Sequence, residues 1–383
     1  MQESLVAPEI LDRPTTQREP EIQLVVASQW RLMWWKFRKH RLALIGGIVI
    51  LVLYLVAVFA EFLAPFDPEA TSVRYMFAPP QALHFLDRTD QGITFHPYVY
   101  GYRSELDRQA LRRTFVLDDS TKIPVRLFAR GTAYRLWGLL PLDVHLVGPE
   151  DPQAPMYVLG TDRLGRDMLS RLLYGTRISM SIGLVGVALS LVLGVVLGGI
   201  SGYYGGVADT AIQRVIEFLR SIPTIPLWLG LAAVLPSSWS PVQVYFAITV
   251  ILSLIGWTGL ARVVRGRFLS LREEDFVLAA RLDGSSELRI ILRHMVPSFL
   301  SHIIASITLA IPAVILAETS LSFLGLGLRP PVISWGVLLQ EAQNIRSVAT
   351  APWLLVPGVA VVLAVLGLNF LGDGLRDAAD PYG

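Results

Sequence analysis

The chain has 383 residues, 53% of them hydrophobic and 17% charged, with a net charge of +2 and no cysteine. Soluble domains carry about 25% charged residues, so most of this chain belongs in a bilayer. The small net charge gives no basis for nucleic-acid binding, and without cysteine there are no disulfides, zinc–thiolate sites or thiol nucleophiles.

In chain order, residues 1–29 are acidic, rich in Pro and Thr, and read as an aperiodic tail. Residues 30–41 (WRLMWWKFRKHR) set tryptophan and basic side chains directly before an apolar run, the composition of a membrane entry point. We assign 1–41 to a cytoplasmic tail with that entry and 42–65 to the first transmembrane helix. An apolar run that opens only near Leu42 lies too deep for a cleavable signal sequence. Residues 66–156 form a proline-rich, aromatic extracytoplasmic insertion. Alternation over Val125, Leu127 and Ala129, and then Ala133, Tyr134 and Leu136, predicts a β-hairpin around Arg130-Gly131, with 115–117 as a further strand.

Residues 157–177 predict an interfacial helix leading into the second span, 178–374 a five-helix core, and 375–383 a cytoplasmic C-terminal tail. The apolar runs lie at 42–60, 178–204, 221–236, 244–261, 295–317 and 351–372, suited with their flanks to about 30 Å of hydrocarbon. Pro223 and Pro226 interrupt the third and Pro312 the fifth. Gly194, Gly198 and Gly202 repeat every four residues along the second, which lets another helix approach closely. The expected fold is an all-α polytopic membrane protein of six transmembrane helices with a small β-containing insertion. Arginines crowd the loop between the fourth and fifth spans (Arg262, Arg265, Arg267, Arg272, Arg281, Arg289, Arg293), and five basic residues precede the first. Both termini and the 262–294 loop are therefore expected in the cytoplasm.

No Gly-x-x-x-x-Gly-Lys-Ser/Thr occurs, so this chain has no P-loop to cradle ATP phosphates. The run Gly160-Thr-Asp-Arg-Leu-Gly-Arg-Asp lacks that lysine and a preceding strand. Its Asp162, Arg163, Arg166 and Asp167 predict instead a helix-start network at the outer membrane surface. The six histidines are scattered, with no His-Glu-x-x-His pair, so no metal site is expected. Asp209, Arg214, Glu217 and Arg220 have the spacing of i,i+3 and i,i+4 ion pairs along one helix. Glu318 is an acidic residue inside the fifth apolar stretch, near its outer end. Either it lines or gates a translocation path together with Ser320 and Ser322, or it hydrogen-bonds an irregular 319–327 backbone.

The segment 275–297 carries the sharpest signal. Phe276, Val277, Ala279, Ala280 and Leu282 predict a small-residue apolar face on a short helix, held at the surface by Glu273, Asp275, Arg281 and Asp283. Gly284 permits a turn, and Ser285 or Ser286 suits the N-cap of a restarting helix. Alanine and glycine on an exposed face suit close docking into a groove of another protein.

These residues resemble the cytoplasmic loop of the inner-membrane permeases of ABC importers, Glu-Ala-Ala-x-x-x-Gly followed by an apolar residue and Pro. Ala279, Ala280, Gly284 and Pro297 match, and Leu278 stands at the glutamate position. Gly160-Thr-Asp-Arg-Leu-Gly-Arg-Asp-Met-Leu-Ser-Arg, Gly202-Tyr-Tyr-Gly-Gly, and Glu318-Thr-Ser-Leu-Ser-Phe-Leu-Gly-Leu-Gly with Ser334-Trp-Gly are similar to the C-type subunit of dipeptide/oligopeptide permeases. The resemblance implies a permease of the bacterial inner membrane working by alternating access. Its implied partners are a homologous B-type permease, two ABC ATPase subunits that hold ATP and Mg2+, and an extracytoplasmic substrate-binding protein. It places ATPase coupling at Ala279, Ala280, Arg281, Gly284 and Ser285, and no enzymatic site in this chain. Peptide is the implied cargo, with oligosaccharide as the alternative. A gradient-driven carrier using Glu318, and a membrane anchor whose insertion is the working domain, are the readings of other classes.

Overall fold

The computed structural model describes residues 29–89, 92–107, 112–236 and 238–379. Most of the tail expected over 1–29 lies outside them; α1 (Gln29–Lys39) opens the described chain. It meets α2 (Arg41–Val58) at His40, whose Nδ1 accepts from the Ala43 N–H and caps the new helix. Then come α3 (Met168–Tyr204), α4 (Gly206–Ser221), α5 (Thr224–Ala233), α6 (Pro241–Leu271) and α7 (Asp275–Leu282). They are followed by α8 (Leu300–Phe323), α9 (Trp335–Gln340) and α10 (Val356–Ala379).

Among the described residues, five helices are long and apolar enough to cross a membrane, and α4 with α5 would make a sixth only as a pair bent by 85°. The expected third span is thus not one helix. Pro223 has no N–H to donate and pushes Ile222 into extended backbone, so α4 ends at Ser221. The ten residues of α5 then rise only ~15 Å, half of a hydrocarbon core.

Four other boundaries move. The interfacial helix expected before the second span is continuous with it: α3 starts at Met168 and its 37 residues extend ~55 Å. Helix α6 continues ten residues past the apolar run, carrying Arg262, Arg265 and Arg267 on helix rather than loop. Helix α8 keeps Pro312 inside it and runs on to Phe323, so Glu318 sits on helix and the irregular backbone starts only at Leu324. The C-terminal tail expected from 375 begins as helix, since α10 reaches Ala379.

Packing follows the small residues. A Cβ at Gly198 would meet the Ala261 carbonyl at 2.5 Å and one at Gly202 the Phe268 Cβ at 2.6 Å, so the glycine repeat brings α3 backbone-close to α6. Ile182, Ile248, Leu252, Val314 and Leu321 fill the space among α3, α6 and α8, and Ile50, Met180, Ile315, Trp335 and Leu368 tie in α2, α9 and α10.

The insertion is a four-stranded antiparallel meander, β1 (His84–Thr89), β2 (Gly92–Asp107), β3 (Arg112–Leu136) and β4 (Leu140–Pro149), in sheet order β1-β2-β3-β4. Residues 115–117 are strand, but they lie in the same β3 as 125–136 rather than in a further strand. The hairpin does not turn at Arg130-Gly131. Those residues sit at a register shift inside β3, and the turn falls at 137–139. His145 of β4 fills the space beside Gly131, where a Cβ would lie 2.7 Å from its ring. The buried imidazole places Nδ1 2.5 Å from the Ala64 carbonyl oxygen and Nε2 3.0 Å from that of Thr132. Val99, Ile123, Val125 and Met156 form the small core of this unit.

Candidate functional site

Helix α7 packs across the ends of α3, α6 and α8 farthest from the sheet. Val277 and Ala280, one turn apart, are buried with Tyr203, Val264, Phe268, Ile290, Met295 and Phe299. This splits the face expected from the sequence. Val277 and Ala280 anchor the helix inward, while Phe276, Leu278, Ala279 and Leu282 point outward, Leu282 at 90% exposure. A helix turns 100° per residue, so five apolar positions in seven cannot share one face.

The C-terminus of α7 is closed by its backbone. The Ser285 N–H donates to the Ala280 carbonyl at 3.1 Å and the Gly284 N–H to that of Arg281 at 3.0 Å, with Gly284 at φ +74°. That pair of bonds is the Schellman arrangement, which a glycine at the left-handed position completes. Ser285 is thus spent in the turn, and Ser286 takes the N-cap position, without a side-chain cap bond. Space beside Gly284 is open: a Cβ there would meet nothing within 4 Å.

Two tyrosines of the Gly202-Tyr-Tyr-Gly-Gly run brace this corner. The Arg281 guanidinium lies over the Tyr203 ring, 5.2 Å from its centre, and the Tyr204 hydroxyl donates to Glu287 at 2.7 Å. Past the turn, Leu288 and Leu292 are also exposed, beside Arg289 and Arg293, and enlarge the outward apolar surface. Sequence reasoning missed this pair; the signal was their i,i+4 spacing beyond Gly284.

The ladder expected within α4 forms in one rung only, Arg214 to Glu217 at 2.9 Å. Asp209 instead receives Arg265 of α6 on both oxygens, Nε at 2.5 Å and Nη2 at 2.6 Å, and a hydroxyl from Ser201. Asp209 lies in the first turn of α4, where the chain reverses at Gly205, so it faces α6 rather than its own helix.

At the sheet end, Glu318 is fully buried, and its Oε1 accepts from Ser322 and Ser334 at 2.8 Å each. Ser322 Oγ also accepts from the Leu328 N–H, and Ser334 Oγ from the Val337 N–H as the N-cap of α9. One carboxylate thus ties α8, the 324–334 loop and α9 together. Trp335 locks the knot onto α3 through its N–H to Ser179 and its indole to Thr176. Ser320, two residues from Ser322, lies on the opposite, exposed side of α8 and donates to its own helix at Leu316. The three residues proposed together as a path or gate therefore do not share a face.

Asp162, Arg166 and Asp167 do come together, around the start of α3. Asp162 accepts from the Leu164 and Arg166 N–H groups and from Arg166 Nε at 2.6 Å; Arg166 also reaches Glu341 at 3.3 Å. Asp167 caps α3 through the Ser170 N–H and hydroxyl, and its other oxygen accepts nothing from the described chain. Burial pushes the Asp167 carboxyl up to about 6, against the lowering effect of Ser170, and burial with nearby Asp162 also raises Glu341. Arg177, nearly three turns beyond Asp167 on α3, donates to Glu61 and to the Ala57 carbonyl near the end of α2.

Comparison with known proteins covers both parts of the chain. Residues 194–382 match the family described as binding-protein-dependent transport system inner membrane component, and 28–80 match the N-terminal TM domain of oligopeptide transport permease C. The dipeptide transport system permease protein DppC of Haemophilus influenzae is 32% identical over 349 residues, 91% of this chain and 93% of its own. DppC of Alkalihalophilus pseudofirmus is 30% identical over 363 residues, 94% of this chain and 93% of its own. A Brucella suis peptide permease protein is 38% identical over 251 residues, 65% of this chain and 81% of its own.

Proposed function

The chain belongs to the binding-protein-dependent transport permeases, in the C-type branch of the dipeptide and oligopeptide systems, and we propose that it forms half of the membrane path of an ATP-driven peptide importer. A homologous B-type permease supplies the other half, a binding protein delivers the peptide, and two ABC ATPase subunits hold the ATP and Mg2+. The two permeases alternate access between the faces of the bacterial inner membrane. Both termini and α7 face the cytoplasm, where the arginines of the 262–294 loop gather, and the sheet faces the binding protein outside.

The observation that carries the reading is α7. A coupling element transmits only if it binds two ATPase states differently and is fixed to what it moves. Val277 and Ala280 fix α7 to three spans, and Phe276, Leu278, Ala279 and Leu282 leave its outer side bare. The test is vanadate-sensitive ATP hydrolysis by the complex purified on a tag of this chain. Peptide-loaded binding protein is expected to stimulate it, and Ala279→Arg, at an exposed position, to abolish the stimulation while the permease pair still assembles. Absence of co-purifying hydrolysis, or full stimulation in Ala279→Arg and Leu282→Asp, would overturn the coupling role. Stimulation by oligosaccharide-loaded but not peptide-loaded binding protein would overturn the cargo.

A further inference from the structure

The turn joining β3 to β4 is built against local preference. It closes with the Leu139 N–H donating to the Leu136 carbonyl at 3.0 Å, and both central residues take positive φ, +55° at Trp137 and +72° at Gly138. Positive φ favours Gly, Asn or Asp, because a bulky side chain there crowds the backbone. An outlier held in place points to a task for its side chain. The Trp137 indole N–H donates to the Val58 carbonyl at the end of α2, at 2.8 Å, and its ring lies 6.0 Å from Phe59. Phe128, also at φ +55°, sits 6.2 Å from Phe62.

These contacts leave the tip largely bare. Trp137 stays 50% exposed, Phe128 63% and Leu139 77%. The same is true of Leu51, Leu55 and Val58 along α2, so one uncovered apolar band runs from the span onto the hairpin without a break. The outer side of a peripheral span meets lipid. Its terminal carbonyl marks the depth where hydrocarbon gives way to headgroups, the level at which tryptophan is enriched in membrane proteins. A partner protein would need no continuity with the span; a bilayer requires it.

We propose that the β3–β4 hairpin tip is a membrane anchor: Trp137, Leu139 and Phe128 seat in the headgroup–acyl boundary beside α2 and hold the sheet at a set angle to the bilayer. The chain has no cysteine, so Leu139→Cys carries a unique fluorescent label at an exposed site. In the full chain reconstituted into phosphatidylcholine vesicles, with iodide on both sides, this label should lose fluorescence to lipid brominated high on its acyl chains and resist iodide. The same label at Phe95→Cys, an exposed residue of β2, serves as the aqueous reference and should be quenched by iodide. Equal iodide access at the two positions would overturn the anchor. So would shielding of position 139 that arises only when the binding protein or the second permease is added.

Discussion

At the residue scale, the buried carboxylates of Glu318 and Asp167 each hold two donors on one oxygen and leave the other without a partner among the described residues. Glu318 holds two hydroxyls through a single oxygen. Glu318→Gln keeps an acceptor there and should preserve the temperature at which the detergent-solubilised protein aggregates. Glu318→Leu strands the Ser322 and Ser334 hydroxyls and should lower stability by about 1–3 kcal/mol. A loss with Gln as large as with Leu would show that the charge itself matters. Asp167 differs in its place, at the start of α3 and outside the span core. Its carboxyl titrates near 6 when folded, against about 3.9 when unfolded, so the folded chain holds the proton more tightly. Its stabilising contribution is full below pH 4 or so and fades as pH rises through about 6, a change of roughly 3 kcal/mol. Glu341 slopes the same way. Asp167→Asn keeps the cap on α3 and should flatten the curve of thermal stability against pH between 4 and 7 or so; an unchanged slope would assign it to Glu341 alone.

At the element scale, the contact between α3 and α6 depends on bare backbone. A side chain at Gly198 has to displace the Ala261 carbonyl, 2.5 Å away, which no rotamer relieves. Gly198→Val should separate the helices and cost about 1–3 kcal/mol or more, read as loss of folded protein from the membrane fraction. The nearby Gly266, beside which a Cβ meets nothing within 4 Å, supplies the control: Gly266→Ala should be neutral or mildly stabilising. Gly284 combines both lessons. Its surroundings are open, yet its φ of +74° strains any side chain, so Gly284→Ala should loosen the end of α7 by roughly 1 kcal/mol. Outward positions such as Ala279 are therefore cleaner probes of coupling than the glycine.

At the scale of the molecule, the sheet hangs on a short neck. The Gln81 N–H donates to the Tyr157 carbonyl at 3.0 Å and the Gln81 side chain accepts the Tyr157 N–H, so the chain enters and leaves the insertion side by side. Thr161 and Ala78 pair just beneath. Replacing residues 84–149 with a short Gly/Ser linker should therefore leave the helices assembled in the membrane at near-normal yield while removing stimulation by the binding protein. Collapse of the membrane yield would mean that the sheet props up the end of α2 through Trp137, and Ala64 beyond it through His145, instead.

Much of this was legible in the sequence because it is set by local rules. Hydrophobic length gave the spans at 42–60 and 351–372, four-residue glycine spacing gave a close helix approach on α3, and the Gly284 turn announced a helix break. What escaped depends on groups distant in the chain. Asp209 could as well have paired within α4 and finds Arg265 only because the chain reverses at Gly205. The hairpin turn falls at 137–139, and Arg130-Gly131 lies within β3 with His145 of the partner strand beside it. Glu318 is a structural tie rather than a residue sharing a face with Ser320, because loop 324–334 folds back to bring Ser334 to it. By itself the sequence determined where the five long apolar helices lie and where small residues let helices meet, since both follow from period and length. Only the tertiary structure decided which polar groups are satisfied by one another, because that pairing is chosen by the low dielectric of a packed interior and not by spacing along the chain.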